Sequence, residues 1–444
     1  MTHAPSRVLV IVGTVVAVLG TATAGSAADR YLWNLPPGFP TPRVPADNPM
    51  SREKAVLGRF LFYDTRLSGN QTQSCASCHL QALAFTDGLP QGVGSTGEVH
   101  PRSSMSLTNV AYNATQTWAN PLLLTLEQQA LIPMFGEFPV ELGLSGMEDE
   151  LLRRLAADAR YRRLFGEAFP AANPPAAVGT IVRGLASFIR TLISGTAPYD
   201  RWVQGVDESA LSASAMRGGR LFFSEQLECF HCHGGFNFAA STAFEGKPFD
   251  EAPFHNNGLY NIDATGAYPP DNTGVHGITG KDADMGAFRA PTLRNIALTA
   301  PYMHDGSIAT LDEVIDHYAA GGRTIADGPY AGVGHDNPHK SGFVRGFTLT
   351  PQDRQDLLTF LHSLTDVDFV TTPHLSNPFR PVACVGDCNY DATVTVNELV
   401  AAVGVGLSSA TLATCFVADR SADGEVTIDE LVTATGAALN GCPP

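Results

Sequence analysis

"LECFHCHGG", residues 227–235, places two cysteines and two histidines within five consecutive positions: Cys229, His231, Cys232 and His233. Taken alone, the stretch fits a zinc knuckle, a dithiol redox pair or a point of covalent haem attachment. All three chemistries use a Cys-x-x-Cys pair, and zinc also accepts imidazole. A second copy narrows the choice. "SCASCH" carries Cys75, Cys78 and His79, with the histidine again directly after the second cysteine. The likeness extends upstream, where "LGRFLFYDTRLSG" (57–69) and "GGRLFFSEQLE" (218–228) share a Gly-Arg pair, an apolar Phe/Leu triplet and a polar run. Such self-similarity at domain spacing marks duplication of one unit.

A histidine following both pairs is the pattern of c-type haem. The cysteines add to the haem vinyl groups and the histidine supplies an axial iron ligand. A zinc site needs four ligands and Cys75, Cys78 and His79 offer three, while a thioredoxin-like pair has no use for the histidine. Two covalently bound haem c groups are therefore expected, one on Cys75, Cys78 and His79 and one on Cys229, Cys232 and His233. His231 then occupies a free x position of the motif.

Compartment and charge agree with this. An apolar run over Val8–Leu19, preceded by Arg7 and followed by small residues to Ala28, has the layout of a signal peptide over 1–28. Periplasmic or extracellular delivery follows, with no membrane span expected in the mature chain. Lys+Arg 28 against Asp+Glu 44 gives a net charge of −16, which disfavours nucleic acid as a partner. In an oxidising compartment the remaining four cysteines, Cys384, Cys388, Cys415 and Cys442, are expected to form two disulfides, and their spacing leaves all three pairings open.

The fold class expected is mainly α: two cytochrome c-like haem domains related by duplication and a small helical module at the C-terminus. Helical periodicity dominates 146–165 and 176–193. Thr310 with Glu313 has capping-box spacing, and Thr350 followed by Pro351 reads as another helix start. The expected division is a signal peptide at 1–28, an N-terminal haem domain at 29–205, a second haem domain at 206–370, a linker at 371–383 and the module at 384–444. The long Gly/Pro/Asn-rich connections 86–104 and 251–287 read as functional loops packed around something large.

From residue 381 onward there are eight acids and one Arg. "DCNYDATVTVNE" places Asp387, Asn389, Asp391, Thr393 and Glu398 at positions 1, 3, 5, 7 and 12 of an EF-hand loop. "DRSADGEVTIDE" repeats the spacing with Asp419, Ser421, Asp423, Glu425 and Glu430. Oxygen ligands at these intervals call for Ca2+. Gly424 stands at the sharp turn of the second loop, whereas the first has Ala392, which must take a strained positive φ, so the first site is expected to be weaker. The pair resembles the dockerin and EF-hand repeats of exported proteins, which implies a cohesin-like or surface partner.

Residue types alone offer Met285, Met303, His304, His317 and Tyr318 as sixth ligands of the second iron, and a methionine is the first expectation. At "FRAPTLRNIALTAPYMHDG" (288–306), with "HPRSSMSLTNVAYN" and "EQQALIPMFGEFPVELG" in order before it, the chain resembles the bacterial di-haem cytochrome c peroxidase/MauG superfamily from about residue 50 to 365. "QTWANPLLLTLEQQALIPMFGE" resembles its MbnH-like branch, whose members oxidise a tryptophan of a partner protein. The resemblance implies that His79 holds the peroxidatic haem and His233 the electron-transfer haem, with Trp118 as relay between them. Glu141 matches the catalytic carboxylate and Gln129 the amide of the distal pocket. A carboxylate there can move a proton from one peroxide oxygen to the other. Tyr318 stands where classical members carry a methionine ligand, and an anionic phenolate favours high oxidation states. Ser95 occupies the place of a gating histidine, with His100 five residues on. A calcium between the haem domains would use the carbonyls of Thr299 and Pro301, but Ser103 replaces the usual asparagine.

The reading implied is an oxidase driven by H2O2 that acts on a partner protein through a bis-ferryl state. The alternatives are a detoxifying peroxidase fed by a small redox-protein donor, and a non-enzymatic di-haem electron carrier.

Overall fold

The computed structural model describes residues 31–379, 384–421 and 423–442; the signal-peptide reading of 1–28 lies outside them. α1 (Arg52–Tyr63) leads to the one-turn α2 (Cys75–Cys78), then to α3 (Leu126–Phe135), α4 (Glu148–Ala156), α5 (Ala159–Ala168), α6 (Val178–Arg190) and α7 (Pro198–Val203). The second half runs through α8 (Ala213–Phe222), the one-turn α9 (Cys229–His233), α10 (His276–Thr279), α11 (Leu311–Ala319), α12 (Pro351–His362) and α13 (Val367–Thr371). α14 (Val396–Gly406) and α15 (Ile428–Asn440) form the tail. Named strands among the described residues are two antiparallel pairs, Phe254–His255 with Phe288–Arg289 and Thr324–Ile325 with Gly332–Val333. No helix among these residues is long and apolar enough to cross a membrane.

Each half is organised around a helix that precedes a Cys-x-x-Cys-His turn and crosses a later long helix. The crossings are close because a glycine sits at each. A Cβ on Gly58 of α1 would stand 1.9 Å from the Gly184 carbonyl oxygen of α6, and one on Gly218 of α8 would stand 1.9 Å from that of Asp356 on α12. Either substitution must push the helices apart. Around the first crossing lie Leu57, Phe62, Phe85 and Leu185; around the second lie Phe222, Phe238, Leu357 and Phe360.

Helix starts follow the capping chemistry in the sequence. Glu313 N–H donates to Thr310 Oγ1 (3.2 Å) while Thr310 N–H donates to Glu313 Oε2 (2.9 Å). Thr350 caps α12 with Pro351 at its first position. The helical pattern of 146–165 is, however, two helices. Asp158 stops the first and caps the second by accepting from the Arg160 N–H at 2.9 Å, a local bond that competes with helix continuation.

The C-terminal tail is built into the first core. Ala402, Val405, Leu412, Val417 and Val426 join Leu57 and Phe60 in one buried cluster. The segment expected as a linker is packed over its described part, 371–379. The buried Arg59 donates to the Ser376 carbonyl (2.7 Å) and to Tyr390 Oη (3.1 Å), and Tyr63 Oη donates to the Leu375 carbonyl (2.6 Å). Disulfides join Cys384 to Cys442 and Cys388 to Cys415, which settles a pairing that spacing left open.

Candidate di-haem site

α2 is a single turn, so Cys75 and Cys78 face the same way and His79 caps its end. Burial pushes the Cys75 thiol up to about 12 and the Cys78 thiol to about 11, and both cysteines are free of disulfides. They are therefore neutral thiols, unlike the activated pair of a dithiol oxidoreductase. The Nδ1 of His79 lies 2.8 Å from the Phe85 carbonyl, which assigns the proton to Nδ1 and makes Nε2 the lone-pair nitrogen. Burial lowers its proton affinity, so the ring is a neutral ligand at pH 7. The second motif repeats this arrangement. His233 Nδ1 lies 3.0 Å from the Pro291 carbonyl, and burial pushes the imidazole down to about 4.

Cys75, Cys78 and His79 line a cavity of about 520 Å3, whose wall also carries Trp118, Gln129 and Glu141. Thr125 and Gln128 form the capping box that starts α3, and Gln129 follows on its first turn. The Oε1 of Gln129 is buried and accepts no hydrogen bond. Glu141 is held by its backbone: its carbonyl accepts from the Ser95 N–H at 2.6 Å, and the preceding Val140 N–H donates to Glu98 Oε2 at 2.9 Å. With its backbone pinned and its side chain on the cavity wall, burial pushes the Glu141 carboxyl up to about 7. A carboxyl near neutrality can both take and return a proton.

Trp118 joins the two halves. It lines the first cavity, packs against the second core, and its Nε1 donates to the Ser103 carbonyl at 2.9 Å. Its own carbonyl accepts from the Arg289 N–H at 2.8 Å. Arg289 was not legible as a site residue. It is buried on the cavity wall, donating to the Thr117 carbonyl (3.1 Å) and Met105 Sδ (3.5 Å), and burial pushes it down to about 10. Among the described residues no carboxylate forms an ion pair with it. A buried cation without a counter-anion calls for a ligand that brings one.

These features match a haem: thiols for the vinyl groups, a neutral imidazole for the iron and a buried guanidinium for a propionate. Ser95 does not line the cavity, whereas His100 does, with Nδ1 accepting from the Arg102 N–H at 3.0 Å.

Around the second motif the structure places each of the five candidate sixth ligands. The Tyr318 phenol is pushed up to about 12, mainly by burial, then lowered by a hydrogen bond with Asn257 and raised by the thiols of Cys232 and Cys229. Tyr318 is half-buried and shares a small cavity with Leu227 and Glu228, which directly precede Cys229. Met303 Sδ accepts from Asn257 Nδ2 at 3.4 Å, and His317 Nε2 lies 3.1 Å from the Asn257 carbonyl. His304 is buried and stacked on Phe288 at 3.7 Å. Met285 packs on the second core, where its carbonyl accepts from Asn256 Nδ2 at 2.8 Å. Asn257 thus touches three of the five candidates, and no motif announced it. Of the residues expected around an interdomain calcium, Ser103 donates its N–H to the His304 carbonyl (2.8 Å), close in sequence to Thr299 and Pro301.

In the tail, both loops fold alike. Asp387 accepts from the N–H groups of Asp391 (3.1 Å) and Ala392 (3.0 Å), as Asp419 does from Asp423 (3.1 Å) and Gly424 (2.9 Å). Glu398 Oε1 accepts from Asn389 N–H (3.1 Å), as Glu430 Oε1 does from Ser421 N–H (2.7 Å). Thr393 N–H and Glu425 N–H each donate at 2.9 Å to the acid two residues before them. Ala392 adopts φ +67° and Gly424 φ +90°. The acids do not gather in threes within 4.8 Å among the described residues.

A model of the di-haem cytochrome c peroxidase family matches residues 52–208. Cytochrome-c peroxidase IdrP1 of Denitromonas iodatirespirans is 33% identical, the match covering 83% of this chain and 96% of that protein. The methylamine utilization protein MauG of Methylorubrum extorquens is 34% identical over 80% of this chain and 91% of its own. A solved MauG-like protein associated with microbial copper homeostasis superposes with a TM-score of 0.77 at 50% identity, covering 79% of this chain and all of that one. With two haem-binding motifs in duplicated settings and relatives matched over nearly their full length, the chain belongs to the di-haem cytochrome c peroxidase/MauG family and is a peroxidase-type oxidoreductase with two haem c groups.

Proposed function

We propose that this enzyme uses H2O2 to oxidise a partner protein, for example at a tryptophan side chain, as the MbnH-like branch does. The observation that carries the reading is Tyr318 on α11, half-buried and sharing a small cavity with Leu227 and Glu228 directly before the Cys229 motif, where its phenol could ligate the second iron. The 50% identity to a MauG-like protein supports the branch assignment.

Cys75, Cys78 and His79 would hold the peroxidatic haem, and Cys229, Cys232, His233 and Tyr318 the electron-transfer haem. When bound, the haems supply iron that reacts with peroxide and stores the oxidising equivalents. Glu141 takes the proton of the incoming peroxide and delivers it to the departing oxygen. Gln129, whose Oε1 has no protein partner, orients the peroxide. Trp118 relays electrons between the halves.

The tail is read as an EF-hand pair in which Asp387, Asn389, Asp391, Thr393 and Glu398, and likewise Asp419, Ser421, Asp423, Glu425 and Glu430, hold Ca2+. Exposed apolar stripes on α14 (Val396, Val400, Leu407) and α15 (Ile428, Val432, Leu439) support a dockerin-like role toward a cohesin-like or surface partner. The carbonyls of Thr299 and Pro301 would hold an interdomain calcium. Periplasmic or extracellular export fits cysteines paired as disulfides.

A detoxifying peroxidase fed by a small redox protein is the second reading. His100 on the cavity wall favours it, because an imidazole there can close the iron until the partner haem is reduced. The test is mass spectrometry of a candidate partner protein before and after exposure to this enzyme and H2O2. Mass gain confined to one partner side chain supports the oxidase. An unmodified partner with rapid peroxide consumption from a reduced small cytochrome would establish the second reading.

A further inference from the structure

His231 is the histidine of the opening stretch that haem attachment leaves unused. We propose that Glu225, Glu228 and His231 form a binding site for a divalent transition-metal ion. One ligand atom from each residue can be chosen so that all lie within 4.8 Å of one another. Nε2 of His231 is 2.8 Å from Oε2 of Glu228 and 3.5 Å from Oε2 of Glu225.

The second observation is at Glu228. Its side chain is nine-tenths buried, yet Oε2 accepts no hydrogen bond in spite of the 2.8 Å approach of the imidazole nitrogen. An N–H aimed at that oxygen would be a hydrogen bond at this distance. The approach lies outside hydrogen-bond geometry, and a buried carboxylate oxygen that accepts no hydrogen bond carries a desolvation cost that a cation would remove. The imidazole is held in place: it stacks on Phe343 (centroids 4.4 Å, planes 15° apart) and lies against Phe230 (4.1 Å, 32°). Arg345 Nη1 is 3.9 Å from the other oxygen of Glu228, on a side chain 69% exposed that can swing into solvent.

The donor set selects the ion. One imidazole nitrogen and two carboxylate oxygens suit Zn2+ or Cu2+ and leave positions for water, whereas Ca2+ prefers six or more oxygens. Glu225 and Glu228 also line a small cavity of about 80 Å3 shared with Tyr318.

The test is calorimetric titration of the haem-loaded protein with ZnCl2, in excess CaCl2 to occupy oxygen-only sites, with Cu2+ electron paramagnetic resonance as a second readout. One Zn2+ per chain is expected, with affinity reduced roughly tenfold or more in Glu225→Gln and in His231→Gln. Glu225 is 79% exposed, so its substitution leaves packing intact. Nitrogen splitting on the Cu2+ signal should vanish in His231→Gln. Unchanged Zn2+ affinity in both variants, or no stoichiometric uptake by the unsubstituted protein, would overturn the assignment and leave an ordinary His231–Glu228 ion pair.

Discussion

Nε of Arg160 lies 3.9 Å from Oδ2 of Asp419, and both side chains are buried. The first acid of the second tail loop therefore faces a guanidinium on α5 of the first haem unit. A Cβ on the neighbouring Gly424 would stand 2.9 Å from the Arg160 Cα. The tail is joined to the enzyme body at the loop itself, so its ligand state and the stability of the first unit are linked.

The first prediction concerns that joint. Asp419→Asn weakens the buried 3.9 Å contact with the Arg160 guanidinium and should cost on the order of 1 kcal/mol. Thermal unfolding of the full chain should show a lower Tm than for Asp423→Asn, whose acid is not part of this contact.

Calcium should raise the Tm of the full chain, and Glu430→Gln should diminish the effect more than Glu398→Gln. The asymmetry comes from φ +67° at Ala392 against φ +90° at Gly424. An L-residue in the left-handed region costs roughly 1 kcal/mol, so Ala392→Gly should tighten the first loop and raise Tm by that equivalent. Equal loss from both Glu variants would contradict the assignment.

Peroxide reaction should depend on pH through Glu141. Its carboxyl is pushed up to about 7 by burial, and only the ionised form can accept the peroxide proton. The rate should fall as pH drops through about 7, close to tenfold per pH unit below it, and level off above. Glu141→Gln should be slow at every pH and lose the inflection in stopped-flow spectra.

Haem loading should follow the motifs one by one. Cys78→Ala and Cys232→Ala should each lose one covalent haem by intact mass, the former disturbing the 520 Å3 cavity and the latter the surroundings of Tyr318.

Features that chemistry writes into contiguous residues were legible in the sequence. Cys75-x-x-Cys78-His79 is one, because two thioether bonds and an iron ligand must come from a single turn. Thr310 with Glu313 is another, since a capping box fixes both partners three residues apart. Ala392 was expected at positive φ because loop position 6 demands it, and it lies there. Relations that arise only on packing were not. Nothing in "FRAPTLRN" tells that the Arg289 charge is buried without an acid, and the acidic tail reads as a separate appendage until Arg59 and Phe60 are found beneath Tyr390 and Phe416. There the Phe60 and Phe416 rings meet at 5.6 Å. The break in 146–165 was missed because periodicity averages over a residue like Asp158 that bonds its own backbone.

The central claim is that Tyr318 lets the second iron share the oxidising equivalents of peroxide. Rapid-mixing Mössbauer spectroscopy of the ferric protein after one equivalent of H2O2 tests it most directly. Both irons should depart from the ferric signal in the unsubstituted protein, whereas Tyr318→Met should keep both haems yet leave the second iron ferric. A spectrum in which one iron alone responds in the unsubstituted protein would contradict it and restore an ordinary peroxidase cycle.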